Sequence, residues 1–149
     1  MFIFVPIELL IHILEEYLRF PKWASKHFGT TTRDWYNLTH LIIFPLVFIV
    51  AYFSIIGNSW GIFLSVVTQT VMFTNGLFHI FTTFLFKEYS PGVISSSIIT
   101  LPFSYFYYQY IFQNQFLSLS AILIALFLGV VVSLSIIWSL TRDINFKFK

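Results

Sequence analysis

Four ionisable side chains near the N-terminus have types and spacings that could support metal or acid–base chemistry. If residues 2–19 form a helix, Glu8, His12, Glu15 and Glu16 fall within an arc of about 100° on one face. Imidazole and carboxylate groups are ligands of catalytic zinc and non-haem iron, and His at i with Glu at i+3 or i+4 can converge on one ion. Ionisable groups in an otherwise apolar segment are costly and functional by default. The pattern predicts that this face meets other helices, a metal or a water-filled cavity.

Two further segments supply matching polar groups. Asn75 and His79 lie four residues apart in one segment, and His40 lies in another. In the five-helix arrangement described below, His12, His40 and His79 lie at one depth. At about 1.5 Å per residue, this depth is roughly 10 Å below the cytoplasmic surface. We therefore predict one site, and the candidate ligands for one Zn or Fe ion there are His12, Glu15, Glu16 and His79. The same four residues and Asn75 are the predicted catalytic residues.

Three interpretations of this cluster stay open at the level of sequence. The first is a metal site of two histidines and one carboxylate, since the absence of cysteine leaves only His and carboxylate as ligands. The second is metal-free acid–base chemistry, in which the adjacent Glu15 and Glu16 repel and one keeps its proton. The third is a purely structural polar network. Glu8 is expected to be a protonated carboxyl group that bonds to a neighbouring helix.

The composition excludes a water-soluble globular protein. Of the 149 residues, 58% are hydrophobic and only 9% are charged, whereas soluble domains have about 45–50% and about 25%. The net charge of +2 is too small to indicate nucleic-acid binding. Apolar runs do not alternate as barrel strands do. We predict an all-α polytopic membrane protein, one transmembrane domain over 1–149, with five helices near 2–19, 35–57, 60–86, 93–112 and 116–140.

The distribution of basic residues predicts the orientation of these five helices. All eight Lys and Arg residues fall on one side, in the 1–2 loop, the 3–4 loop and the C-terminal tail. The positive-inside rule then places the N-terminus outside and the C-terminus in the cytoplasm, with the plasma membrane of a bacterium as the expected location. Trp23, Phe28, Trp35 and Tyr36 in the first loop are expected to form an interfacial aromatic belt.

The fourth predicted helix begins at a tight turn on the predicted cytoplasmic side. Pro91 and Gly92 form this turn, and the free amides of the helix N-terminus could bind an anion. The residues predicted to contact a substrate line this region and the shared histidine layer: Tyr89, Pro91, Gly92, Ser95 and His40.

Three short motifs in this chain resemble those of a known family. His12-Ile13-Leu14-Glu15-Glu16 matches the defining motif of the HXXEE family of integral membrane proteins. The segment 75–79 is similar to its Asn-x-x-x-His motif, and 89–95 resembles its Tyr-Ser-Pro-Gly-x-x-Thr motif with Ser in the last place. The resemblance covers about residues 8–97 and implies a family that is suspected to be enzymatic without an established reaction.

Two functions from different classes follow. The first is an intramembrane enzyme that acts on a lipid or another amphiphile at the cytoplasmic leaflet, by metal-dependent hydrolysis or oxidation or by metal-free catalysis. The alternative is a non-enzymatic membrane protein, a proton-coupled transporter or an accessory subunit, that uses the cluster as a structural or proton-relay network. Membrane lipids are the expected partners of either, and no protein partner is indicated.

Overall fold

A computed structural model describes residues 1–29 and 31–141, and every regular element in this part of the chain is helical. This result confirms the all-α class. The elements are α1 (Phe4–Glu16), α2 (Phe20–Phe28), α3 (Arg33–Ile55), α4 (Ser59–Phe86), α5 (Val93–Ser95), a π-helix (Ser96–Thr100), α6 (Leu101–Gln113) and α7 (Leu119–Thr141). The tail residues counted in the orientation argument, Arg142, Lys147 and Lys149, lie outside the described residues.

Three helices are long and apolar enough to cross a membrane: α3, α4 and α7. With 23, 28 and 23 residues, they extend roughly 35–42 Å, more than the roughly 30 Å of bilayer hydrocarbon. The predicted segments 2–19 and 93–112 do not form single helices of that length. The first is shortened to the 13 residues of α1, and the second is divided by the π-helix.

The helix ends follow local chemistry. Thr32 caps α3 by accepting a hydrogen bond from the Trp35 amide at 3.2 Å, and Asn58 caps α4 by accepting one from the Gly61 amide at 3.0 Å. Short polar side chains at these positions satisfy amides that have no partner within the helix. The predicted starts of these two helices are therefore within two residues of the observed ones.

The loop predicted after the first helix is wrong, because residues Phe20–Phe28 form α2. Pro21 is tolerated in the first turn of this helix. The side chains of Phe20, Trp23 and Phe28 recur on one helical face and are buried against the protein together with Tyr36. The predicted aromatic belt is consequently wrong for Trp23, Phe28 and Tyr36, whereas Trp35 is exposed.

The bundle is organised around α4, which packs against α1, α3, the π-helix, α6 and α7. The contact with α7 is very close at Gly129, where a Cβ atom would lie 2.5 Å from Cβ of Thr70. Along α1, polar side chains meet α4 in the same sequence order, so the two helices run parallel: Glu8 with Gln69, His12 with Asn75, and Glu16 with His79. This interface positions the polar residues singled out by the sequence.

Candidate metal centre

A compact group of two histidines and one carboxylate is buried where α1 meets α4. Nε2 of His79 lies 3.1 Å from Oε1 of Glu16, and Nε2 of His12 lies 3.5 Å from the same oxygen. One ligand atom from each residue lies within 4.8 Å of the others. The three residues are at most 4% exposed. This group, the His/Glu cluster, could hold a metal ion.

Ser95 and Asn75 hold the His12 ring in one orientation. Ser95 Oγ donates to the carbonyl of Gly92 at 3.1 Å, so towards His12 it acts as an acceptor for Nδ1–H at 2.9 Å. His12 Nε2 therefore carries the lone pair, and it accepts from the Asn75 amide at 3.0 Å. The nitrogen that faces Glu16 is the one able to bind a cation.

His79 is held in a similar way from the other side of the cluster. Its Nδ1 lies 3.0 Å from Ser90 Oγ, and Thr82 lies 3.2 Å from the same hydroxyl. Its Nε2 is buried and forms no hydrogen bond of acceptable direction, although Glu16 is close. A buried nitrogen without a hydrogen bond costs free energy unless a proton or a metal ion bridges it to the carboxylate.

The second carboxylate oxygen of Glu16 is already engaged. Tyr36 OH donates to Oε2 at 3.1 Å. Oε1 is therefore the oxygen left to face the two imidazoles. Each of the three residues thus has one atom bound to a hydroxyl group and one atom directed into the cluster.

Gly92 closes the cluster on the side of the 87–92 turn. Its φ angle of +104° lies in the left-handed region, and a Cβ atom there would lie 2.8 Å from Cε1 of His12 and 2.9 Å from Cε1 of His79. Only glycine meets both conditions. Gly92 is therefore part of the wall of the cluster, and the adjacent Pro91 is fully buried.

Glu15 does not join its sequence neighbour Glu16. Its carboxylate accepts hydrogen bonds from the amides of Gly92 and Ile94 at 3.0 Å and of Ser95 at 2.6 Å, and from Tyr89 OH at 2.6 Å. These amides begin the helical run 93–113, where an anion is stabilised. The anion predicted at this helix N-terminus is thus supplied by the protein itself.

Replacing Glu15 with glutamine is expected to destabilise the protein. Glu15→Gln should lower the free energy of unfolding by about 1–3 kcal/mol, because hydrogen bonds to a charged acceptor are lost at a helix N-terminus. Thermal or detergent-induced unfolding would measure the loss. The matched control is Glu88→Gln, which removes an exposed ion pair with Lys26 and should change little. Equal losses in both variants would contradict the capping role of Glu15.

The electrostatics of the 87–92 turn keep Tyr89 as a donor. Burial and the adjacent Glu15 carboxylate raise the pKa of Tyr89 to about 12. The hydrogen bond from Lys26 lowers the pKa of the neighbouring Glu88 carboxyl. The turn therefore presents a neutral phenol to Glu15 and a carboxylate to the basic side chains of α2.

His40 lies on the far side of a cavity that also borders the His/Glu cluster. Its Nδ1 lies 2.8 Å from the Tyr36 carbonyl, which can only accept, so this nitrogen carries the proton. Glu8 lies deeper along α1, is 3% exposed and accepts from Gln69 Nε2 at 3.2 Å. The bond between Glu8 and a neighbouring helix agrees with the sequence expectation.

Ser90 and Tyr36 contact the cluster and were not predicted from the sequence. The contact of Ser90 could have been predicted, because this residue lies within the Tyr-Ser-Pro-Gly motif between two predicted substrate-binding residues. The contact of Tyr36 could not, since an aromatic residue beside basic residues is typical of a membrane interface. Its role depends on how α3 packs against α1.

Over the described residues, the fold and this site define an all-helical protein with three candidate membrane-spanning helices and a buried two-histidine, one-carboxylate cluster. A family model described as "Protein of unknown function with HXXEE motif" matches residues 3–107, more than two thirds of the chain. The protein belongs to this HXXEE family, which confirms the resemblance drawn from its motifs. No curated protein and no solved structure matches the chain.

Proposed function

We propose that this protein is a membrane-embedded, metal-dependent enzyme whose ion is held by His12, Glu16 and His79. The observation that carries the proposal is the convergence of two imidazole nitrogens and one carboxylate oxygen, each on a residue whose other polar atom is bound to a hydroxyl group. Such outer hydrogen bonds orient metal ligands and fix the histidine tautomer. The Glu15 carboxylate, engaged elsewhere, is not part of the proposed ligand set.

The spacing of the three atoms suits a small divalent ion. With metal–ligand bonds of about 2.1 Å, neighbouring ligand atoms in a tetrahedral site are about 3.4 Å apart. The separations of 3.1 and 3.5 Å from Glu16 Oε1 bracket this value. Ion binding would replace the bond between Asn75 and His12 Nε2. Asn75 would then be free to orient a water or a substrate.

The ligand set favours two related chemistries. Two histidines and one carboxylate leave coordination positions open, as in catalytic zinc and non-haem iron sites. Zinc would supply an activated water for hydrolysis, and iron would support oxidation. The chain itself would hold the ion, Phe20 packs edge-on against the His79 ring, and Ser95 and Asn75 keep His12 in one tautomer.

We further infer that five segments cross the cell membrane, with the N-terminus outside and the C-terminus in the cytoplasm. The parallel course of α1 and α4 supports this arrangement, as does the helical course of 93–113, where α5, the π-helix and α6 follow one another directly. The cluster would then lie near the cytoplasmic surface, beside the basic α2. A lipid or another amphiphile of the cytoplasmic leaflet is the substrate class that this depth favours.

The proposal predicts that the hydroxyl groups around the cluster control metal affinity. Ser95→Ala, Ser90→Ala and Tyr36→Phe should each weaken metal binding by about 10–100-fold, because they remove the partner that orients one ligand. Competition with a chelator, followed by elemental analysis of the detergent-purified protein, would measure this loss. Ser135→Ala is the control, because that hydroxyl bonds Val131 O on an exposed face of α7. Unchanged affinity in all three variants would contradict the proposed ligand set.

A further inference from the structure

A cavity of about 130 Å³ lies beside the His/Glu cluster, between α1, α3, α4 and α7. His12 and Glu16 form its polar end, and most of the remaining lining is apolar. Typical pockets for drug-sized ligands measure about 300–1,000 Å³. A cavity of this size is too small for a whole lipid molecule, but it has room for the polar end of one.

The cavity reaches the surface of the bundle between α3 and α7. These two helices both pack against α4 without extensive contact with each other. Trp35 of α3 and Ile136 of α7 line the cavity and are still 46% and 44% exposed. The gap between the two helices is thus continuous with the cavity that borders the cluster.

One end of this gap is closed by α2. This helix packs against both α3 and α7, and its buried aromatic face contacts Tyr36 and Leu140. A molecule cannot reach the cavity straight along the helix axes from that end. The free side of the gap lies between two helices that are long and apolar enough to cross a membrane. In the membrane arrangement proposed above, this side faces the bilayer.

The polar groups of the cavity indicate which head group would fit. Besides the cluster, the polar lining includes Tyr36, Thr39, His40, Asn75 and Ser133, and none of the described residues that line the cavity is Lys or Arg. His40 donates from Nδ1 to a backbone carbonyl, which leaves Nε2 as the atom that can bond a ligand. This nitrogen accepts a hydrogen bond, so it suits a head group with a hydroxyl donor and not a carboxylate, which has no proton to donate.

We propose that the gap between α3 and α7 is a lateral opening for a single-chain membrane amphiphile with a hydroxyl group at its polar end. That end lies in the cavity between His40 and the His/Glu cluster, and the hydrocarbon chain extends between α3 and α7 into the bilayer. This inference rests on the proposed function, for which it names the substrate class. Entry from the bilayer avoids moving a long apolar chain through water.

Photolabelling of the full-length protein in nanodiscs tests the opening. The probe is a long-chain alcohol with a diazirine near its hydroxyl end. We expect saturable labelling at the buried Met72, which lines the cavity. Ser133→Phe places a ring in the cavity, where it takes up space that the probe needs. It should reduce this labelling by about tenfold, because the probe then buries less apolar surface. Ser135→Phe makes the same exchange on an exposed position of α7 and should leave it unchanged.

The metal content of each variant separates this inference from the proposed function. If Ser133→Phe keeps its metal and loses the label, the opening is supported. Labelling that is confined to lipid-facing residues, or equal in the two phenylalanine variants, would overturn it. Stronger labelling by the corresponding fatty acid, whose carboxylate cannot donate to His40, would overturn the hydroxyl head group. A wild-type protein without metal that still takes up the label would contradict the proposed function alone.

Discussion

Purified protein in which His12 or His79 is replaced by alanine is expected to lose its bound metal, whereas the wild type carries about one equivalent of zinc or iron per chain. Each replacement removes one of the three proposed protein ligands. The loss should therefore exceed the roughly 10–100-fold weakening expected when an outer hydrogen bond is removed. Elemental analysis after purification without chelators would measure it. Zinc would indicate hydrolysis, and iron would indicate oxidation.

Two histidines outside the ligand set serve as controls for this experiment. His27→Ala removes a ring that stacks on Phe86 and lies beside Glu88, and His40→Ala removes one from the cavity wall. Both variants should retain the metal. Wild-type protein without stoichiometric metal would overturn the ligand assignment. It would favour a shared proton among Glu16, His12 and His79, and with it acid–base catalysis, a proton relay or a structural network.

The second large effect is expected at Gly92. Gly92→Ala should abolish metal binding and lower the stability of the protein. The added methyl group meets His12 at 2.8 Å and His79 at 2.9 Å, distances that force both rings to move. Metal sites tolerate only small displacements of their ligands. Overpacking of this kind costs about 1–3 kcal/mol, in addition to about 1–2 kcal/mol for a left-handed residue with a side chain.

Gly57→Ala is a control that separates the cost of the contact with the two histidine rings from the cost of the left-handed backbone. Gly57 also has a left-handed backbone, with a φ angle of +78°, but nothing lies within 4 Å of the position that its Cβ would occupy. This control should show the backbone cost alone and keep its metal. Unfolding curves and metal content, measured for both variants, give the comparison. Equal behaviour of the two alanine variants would contradict a role for Gly92 in the wall of the cluster.

The sequence by itself determined the helical class, the family and most of the polar residues that meet at the site. Long apolar runs have few conformational options, because their backbone groups must be satisfied within the segment. Cap residues such as Thr32 and Asn58 mark the helix ends locally. Helical periodicity is also sufficient to put His12 and Glu16 on one face of α1 and Asn75 and His79 on one face of α4.

Only the tertiary structure decided which of these polar residues face the cluster and which bind elsewhere. Glu15 and Glu16 are adjacent, yet one caps the 93–113 helical run and the other faces two histidines. Helical spacing gives the direction of a side chain but not the helix that packs there. The same reason applies to Tyr36 and to the aromatic residues of α2, whose composition suits a membrane interface as well as a protein core. Which partner each finds depends on contacts between segments that are distant in the chain.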